Sequence, residues 1–309
     1  MSSSIKATII NFIQATRPRT FMLAVASIIC GNALAYHQLA GFDLHHWGIF
    51  LLSLWVALAL QILSNLANDY GDGIKGTDDL RAVDSPQRLT AQGQLDPKRL
   101  KRWIMIWAWL TFFSGVGLIY WAFDSLSDLL LFLGFGIIAI FSAMAYTMGK
   151  RPYGYRAMGE VAVLIFFGWL AVLGSCYLQT QQFAIPTDLP QLLPATGCGL
   201  LASCVLYLNN MRDIDSDKQA GKITVAVLLG KEQMRKGYFA LLAVAILLYV
   251  VASYYYGLAS LIWLLILPLI IRHIKYIQQV PQKIGTQLPK IVLLTFFINL
   301  LFALGLILG

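Results

Sequence analysis

Two short stretches of the sequence gather carboxylates and amides in a pattern that suits a hard divalent cation. The first reads NLANDYGDGIKGTDD from Asn65 to Asp79, the second NNMRDIDSDKQAGK from Asn209 to Lys222. Asn65, Asn68, Asp69 and Asp72 stand at i, i+3, i+4 and i+7, so a helix carried through them lines them along one face. Asn209, Asp213 and Asp217 repeat the pattern at i, i+4 and i+8. Carboxylates gathered this way repel unless something cationic sits between them. Oxygen-only donors in incomplete cages suit Mg²⁺, which keeps waters and takes its remaining ligands from substrate phosphates. Bases are interleaved with the acids: Lys75, Arg81 and Arg88 after the first array, Arg212, Lys218 and Lys222 around the second, and Lys150, Arg151 and Arg156 between them. Metal-holding acids beside Lys and Arg are what a diphosphate requires, and Lys150 and Arg212 sit closest to the ends of apolar stretches. An EF-hand fits less well, because Lys218 replaces the Gly of its position 6 and Thr224 the Glu of its position 12.

The elements that position these arrays lie in lipid. The chain has 309 residues, 58% hydrophobic and 12% charged, with a mean hydropathy of +0.69, which excludes a disordered tail, a disulfide scaffold and a soluble basic face for nucleic acid. Stretches free of Asp, Glu, Lys and Arg run over 20–42, 44–68, 103–123, 129–149, 161–187, 189–211, 237–271 and 291–309. Seven have the length of one crossing. The 35 residues of 237–271 would rise about 52 Å as one helix, too long for a bilayer core of roughly 30 Å. That stretch breaks naturally at Ser253–Gly257, where Tyr254, Tyr255 and Tyr256 suit an interface and Gly257 a turn. The expectation is an all-α polytopic membrane bundle of nine transmembrane helices.

Charge supports the count. With nine crossings all 23 Lys and Arg fall on the side of the N-terminus, and the opposite side holds only Asp43, Asp124, Asp128 and Asp188. The positive-inside rule then places the N-terminus and both acid arrays in the cytoplasm. The second and sixth crossings run the same way and end in similar arrays, which suggests a single domain over 1–309 made of two pseudo-repeated halves split near residue 150. Cys30, Cys176, Cys198 and Cys204 lie in apolar stretches without a CxxC pair and read as buried inert thiols. His37, His45 and His46 fall on the outer side, His273 reads as part of a cationic loop, and Glu160 is placed to pair with Arg151 or Arg156.

The residues resemble the UbiA superfamily of intramembrane aromatic prenyltransferases over most of the chain. The resemblance rests on RPRTF from Arg17 to Phe21, NDxxD from Asn68 to Asp72, YxxxK from Tyr146 to Lys150, and DxxxD from Asp213 to Asp217 followed by AGKITVAVLLGK. Within it, NLANDYGD, YTMGKRPYGYRAMGE and NNMRDIDSDKQAGK look most like the branch that prenylates 1,4-dihydroxy-2-naphthoate in bacterial menaquinone synthesis. The wider family often writes its first motif NDxxDxxxD; Gly76 stands at the last position here, a departure shared by that branch.

The resemblance implies a polar cavity facing the cytoplasm of the bacterial inner membrane, a lipid-open channel for a prenyl tail, and Mg²⁺ as cofactor. It implies Asn68, Asp69, Asp72, Asp213 and Asp217 as metal-diphosphate ligands, with Asp72, Asp213 and Lys150 central to catalysis. Lys75, Lys150 and Arg212 are assigned to diphosphate oxygens, and Arg19, Asn65 and Tyr146 to placement of the acceptor. Asp215 points off the Asp213 and Asp217 face and is free to orient a base. The partners implied are polyprenyl diphosphate, 1,4-dihydroxy-2-naphthoate and membrane lipid, with 4-hydroxybenzoate as the alternative acceptor and no nucleic acid. A CDP-alcohol phosphatidyltransferase lacks support, since Asp72-Gly73 is followed by Ile-Lys-Gly rather than by the expected Ala-Arg spacing. An ion-coupled transporter usually holds its charges near mid-membrane, whereas these lie at one face.

Overall fold

Each apolar stretch forms a helix in the computed structural model, as a backbone in lipid must satisfy its own N–H and C=O groups. The structure describes residues 2–76, 95–183 and 188–309. Asp78, Asp79, Arg81 and Arg88, all tied above to the first array, lie outside the described residues. Among those described, nine helical spans are long and apolar enough to cross a membrane, as the sequence predicts.

Helix α1 (Ser2–Thr16) and α2 (Phe21–Leu39) are separated by a single tight turn over Pro18–Thr20, and the first span runs over Thr8–Leu39. Pro18 disfavours the right-handed helical conformation at the residue before it, and Arg17 takes a left-handed one instead, at φ 49° and ψ 67°. Helix α3 (Leu44–Ile74) runs on past the last apolar residue and carries the first acid array. Then come α4 (Pro97–Ala122), α5 (Leu126–Ala145), α6 (Gly159–Thr180) and α7 (Leu189–Arg212). The short α8 (Ile214–Gln219) precedes α9 (Val225–Tyr256), α10 (Leu258–Gln279) and α11 (Pro281–Leu308).

The long apolar stretch turns at Gly257, whose φ of 90° favours a residue without Cβ, so the expected break is present. Two boundaries differ from the sequence reading. Counting only charge-free residues clips helix ends that rise out of lipid: α9 runs from Val225, breaks at Gly230 (φ 75° and ψ 168°), and resumes with Lys231, Glu232, Arg235 and Lys236 ahead of residue 237. The second array is not one continuous helical face. Helix α7 stops at Arg212, Asp213 sits at φ −95° and ψ 9°, and α8 starts afresh.

The largest core packs α2, α6, α7, α9, α10 and α11 around Trp263, Tyr249, Tyr238 and Phe302. All four cysteines are buried and free, as expected. His273 corrects its assignment: Arg272 and Lys275 are exposed while His273 turns inward, its Nε2 2.6 Å from the Tyr238 hydroxyl and its Nδ1 3.0 Å from Gln287 Oε1. Helical period places alternate faces of one basic stretch in different environments.

Candidate active site

A cavity of about 1200 Å³ opens within the bundle, and its polar end is lined by the first array, Asn65, Asn68, Asp69 and Asp72 from α3, and by Asn209 and Arg212 from α7, without Asp213 or Asp217. The remaining wall is apolar, with Val56, Leu60, Phe112, Phe135, Phe166 and Leu170. Ser53, also on the wall, precedes Asp72 on α3 by a distance of about 28 Å at 1.5 Å per residue. A polar mouth and an apolar channel of nearly bilayer depth fit an amphiphile with a charged head and a long hydrocarbon tail.

Buried carboxylates are costly unless each meets a base or a donor, and here the bases are close by. Asp69, 2% exposed, pairs with Arg17. The left-handed backbone at Arg17 is thus part of how the chain delivers that guanidinium. Arg212 grips Asp213 with both edges, Nε to Oδ1 at 2.7 Å and the terminal nitrogen to Oδ2 at 2.6 Å, and also donates to Asn209 Oδ1 at 2.9 Å. Lys222 lies 3.6 Å from Asp217. Asp213 and Asp217 are themselves 3% exposed and sit behind the lining formed by Asn209, Arg212 and Lys222.

Asp72, 1% exposed, accepts a hydrogen bond from the Tyr155 hydroxyl at 2.8 Å. Lys75 donates to the Thr147 carbonyl and stands 4.9 Å from the centre of the Tyr155 ring, with Lys222 5.3 Å from the same centre. Burial holds the Lys75 ammonium below the ordinary lysine range, with the Asp72 charge opposing. Thr147 donates to Ala67 O at 2.9 Å and to Asn68 Oδ1 at 3.2 Å, which fastens the segment after α5 to the first array. The same segment is stitched to the second array's loop, Ala157 N–H to Ile223 O at 2.8 Å and Ile223 N–H to Tyr155 O at 3.3 Å.

The residues assigned to the acceptor divide. Arg19 lines the cavity and is exposed. Asn65 also lines it, but its amide donates to Thr16 O at 2.8 Å and Thr20 Oγ1 at 2.9 Å, pinning the turn between α1 and α2. Tyr146 presents a ring to the cavity, 5.3 Å from that of Tyr153. Burial, helped by the Glu160 and Asp72 charges, pushes the Tyr146 phenol far up, and burial pushes Tyr153 up to about 12. Both rings are therefore neutral faces suited to a cation, and neither is a base.

Lys150 is exposed and stands outside the lining of the cavity. Asp215 orients a base as its register suggests, pairing with Lys231 at 2.7 Å on the exposed rim. Glu160 takes a hydrogen bond from the Asn210 amide at 2.9 Å where Arg151 or Arg156 was expected. Sequence reasoning passed over Arg17 in favour of Arg19, although Pro18 marks Arg17 as the residue bent out of helical register. It also gave no role to Tyr155, and only the aromatic run of YGY between two basic segments hints at one.

The donors fit Mg²⁺ by type, since Asn68, Asp69, Asp72, Asp213 and Asp217 offer only oxygen. Among the described residues no three carboxylate, imidazole or thiol groups form a ready-made cage. Lys222→Met is expected to raise the KM for a diphosphate substrate roughly 10- to 100-fold, the loss typical of a charge-assisted contact, with Lys222→Arg recovering part of it. Steady-state kinetics against donor and acceptor separately measures this, and a donor KM unchanged in Lys222→Met would remove Lys222 from the site.

An all-helical intramembrane bundle with paired acid arrays over an apolar channel defines a class of membrane enzymes that handle prenyl diphosphates. The chain belongs to the UbiA prenyltransferase family, whose family model matches residues 18–303. It is 40% identical over 301 residues to a 1,4-dihydroxy-2-naphthoate octaprenyltransferase of Haemophilus influenzae, covering 96% of this chain and 95% of the relative. It is 41% identical over 304 residues to the enzyme of that description from Escherichia coli, with the same coverage. Its fold is shared by a UbiA homologue from Archaeoglobus fulgidus solved with DMAPP and Mg²⁺, at a TM-score of 0.61 and 16% identity over 95% of this chain and 99% of the other.

Proposed function

We propose that this protein transfers a polyprenyl group from polyprenyl diphosphate to 1,4-dihydroxy-2-naphthoate, releasing diphosphate and CO₂ and giving demethylmenaquinol for menaquinone synthesis. The observation that carries this reading is the cavity itself, with the first acid array, Asn209, Arg212 and Lys222 at one end and apolar walls along the rest, and with Asp213 and Asp217 paired to that Arg212 and Lys222. The two bacterial relatives named for that acceptor support the choice of naphthoate. The site faces the cytoplasm of the inner membrane, because all 23 Lys and Arg fall on its side of the nine crossings.

The chemistry follows from charge. The allylic C–O bond breaks, its electron pair leaves with diphosphate, and an allylic cation remains. Mg²⁺ held through Asn68, Asp69, Asp72, Asp213 and Asp217 would neutralise the leaving group and act as a Lewis acid on its oxygens. Lys75, Lys222 and Arg212 take further diphosphate oxygens, and Lys150 at the rim adds to the positive field. The apolar walls keep water from the cation, and the neutral rings of Tyr146 and Tyr153 stabilise it. The naphthoate carbon bearing the carboxylate forms the new C–C bond as a phenol loses its proton. The resulting β-keto acid loses CO₂, and the electron pair of that bond returns to the ring, which regains its proton on oxygen. Arg19 at the cavity mouth is the base best placed to attract the acceptor's carboxylate.

Purified protein in detergent, given Mg²⁺, polyprenyl diphosphate and 1,4-dihydroxy-2-naphthoate, should release diphosphate and CO₂ in step with prenylated product, and chelation with EDTA should stop it. Turnover of 4-hydroxybenzoate in preference when both acceptors compete would overturn the acceptor. Ion movement in liposomes without any prenylated product would overturn the reaction.

A further inference from the structure

We propose that Tyr155 is a positioning residue that couples the two acid arrays, setting Asp72 for metal through its hydroxyl and Lys75 and Lys222 for diphosphate through its ring. The inference rests on the reading of this cavity as a metal-diphosphate site and adds to it a residue outside the arrays themselves.

Three contacts meet on one side chain. The hydroxyl donates to Asp72 Oδ1 at 2.8 Å, which fixes the carboxylate plane by a charge-assisted bond. The ring centre lies 4.9 Å from Lys75 Nζ and 5.3 Å from Lys222 Nζ, both within the distance at which an aromatic face attracts a cation. Lys75 follows the first array on α3, and Lys222 closes the second, 3.6 Å from Asp217. Two ammonium groups drawn toward one point repel. The negative face of an aromatic ring offsets that repulsion without binding either proton.

The backbone holds Tyr155 where this works. Its carbonyl accepts from Ile223 N–H at 3.3 Å, and Ala157 N–H donates to Ile223 O at 2.8 Å, an isolated parallel bridge between Arg156 and Ile223. Lys222 is therefore adjacent in sequence to the strand-like contact that seats Tyr155, so main chain brings the two residues together. On the other side, Lys75 also donates to the Thr147 carbonyl. The two cations are thus spaced before substrate arrives, the arrangement that electrostatic preorganisation requires.

Tyr155→Phe keeps the ring and loses the hydroxyl; Tyr155→Met loses both while keeping bulk. With protein purified in detergent, calorimetric binding of inorganic pyrophosphate at several Mg²⁺ concentrations is measured beside steady-state kinetics. The Phe variant is expected to need about fivefold more Mg²⁺ for half-maximal pyrophosphate binding, with pyrophosphate affinity at saturating Mg²⁺ within about twofold of wild type. The Met variant is expected to show that same Mg²⁺ shift and, in addition, about tenfold weaker pyrophosphate binding and a donor KM raised to match. The acceptor KM is expected to stay unchanged in both.

Equal pyrophosphate binding in the Phe and Met variants would overturn the role of the ring, and an unshifted Mg²⁺ requirement in Phe would overturn that of the hydroxyl. A rise in acceptor KM equal to that for donor, in either variant, would mean general disruption and also overturn the proposal. If Met does not yield folded protein, the Mg²⁺ titration of Phe decides alone. A wild-type protein that binds Mg²⁺-pyrophosphate but transfers no prenyl group would sink the proposed reaction and leave the Tyr155 comparison standing.

Discussion

Asp72→Asn should lower prenyl transfer by at least about 100- to 1000-fold, the range seen when one preorganised stabiliser of developing charge is removed, in a protein that still inserts and folds. Asp72 sits on α3 one turn beyond Asn68, 1% exposed, with the Tyr155 hydroxyl 2.8 Å away. Asparagine keeps the shape and can still accept that hydrogen bond through its own Oδ1. What it removes is the negative charge, so the loss falls on metal-diphosphate binding and ionisation and not on packing. The measurement is product formation at saturating acceptor over a range of donor and Mg²⁺, with helicity followed by circular dichroism. Near-normal turnover in Asp72→Asn would show that the ion is held elsewhere.

Gly71→Ala is expected to damage the site without touching a charged group. A Cβ at position 71 would stand 2.6 Å from the Thr147 carbonyl oxygen and 2.6 Å from its hydroxyl, closer than real Cβ atoms come. The obstruction is main chain, so the segment after α5 has to move. That segment supplies the carbonyl that receives Lys75, the hydroxyl that bonds Ala67 and Asn68, and Tyr155. Overpacking of this kind costs about 1–3 kcal/mol, and the displacement should raise the donor KM tenfold or more. A lower melting temperature together with the raised donor KM is the expected pair of results. Wild-type values for both would show that the helix and the segment are not in contact during turnover.

The crossings and the arrays were legible in the sequence because lipid makes the rules strict. A charge at membrane depth is expensive, so charge-free stretches mark helices, and Asn65 to Asp72 keep helical spacing up to the surface. The break at Asp213 was not legible, because Asn209, Asp213 and Asp217 satisfy an i, i+4 rule whether or not the backbone turns between them. Side-chain partnerships were least visible. Arg17 and Arg19 look equivalent as RPR, and it is the left-handed conformation of Arg17, where Pro18 disfavours the right-handed one, that goes with its pairing to Asp69. Lys222 was one base among several near the second array, and Lys150 looked better placed at a helix end, yet the former is buried, 6% exposed, and the latter exposed. Tyr155 and Gly71 owe their importance to distances across the fold, which spacing along a chain does not encode.

Under the proposed function, the pairing of Asp69 with Arg17, Asp213 with Arg212 and Asp217 with Lys222 would make loading of the site an exchange reaction. Each acid that takes up metal gives up a base, and each base that is given up becomes available to phosphate. Affinity is then set by the difference between two sets of ion pairs, not by the sum of the new ones. Such a difference is small enough to reverse, so that after the prenyl group has left, the old partners compete for one another and help expel diphosphate from a site that would otherwise hold it fast.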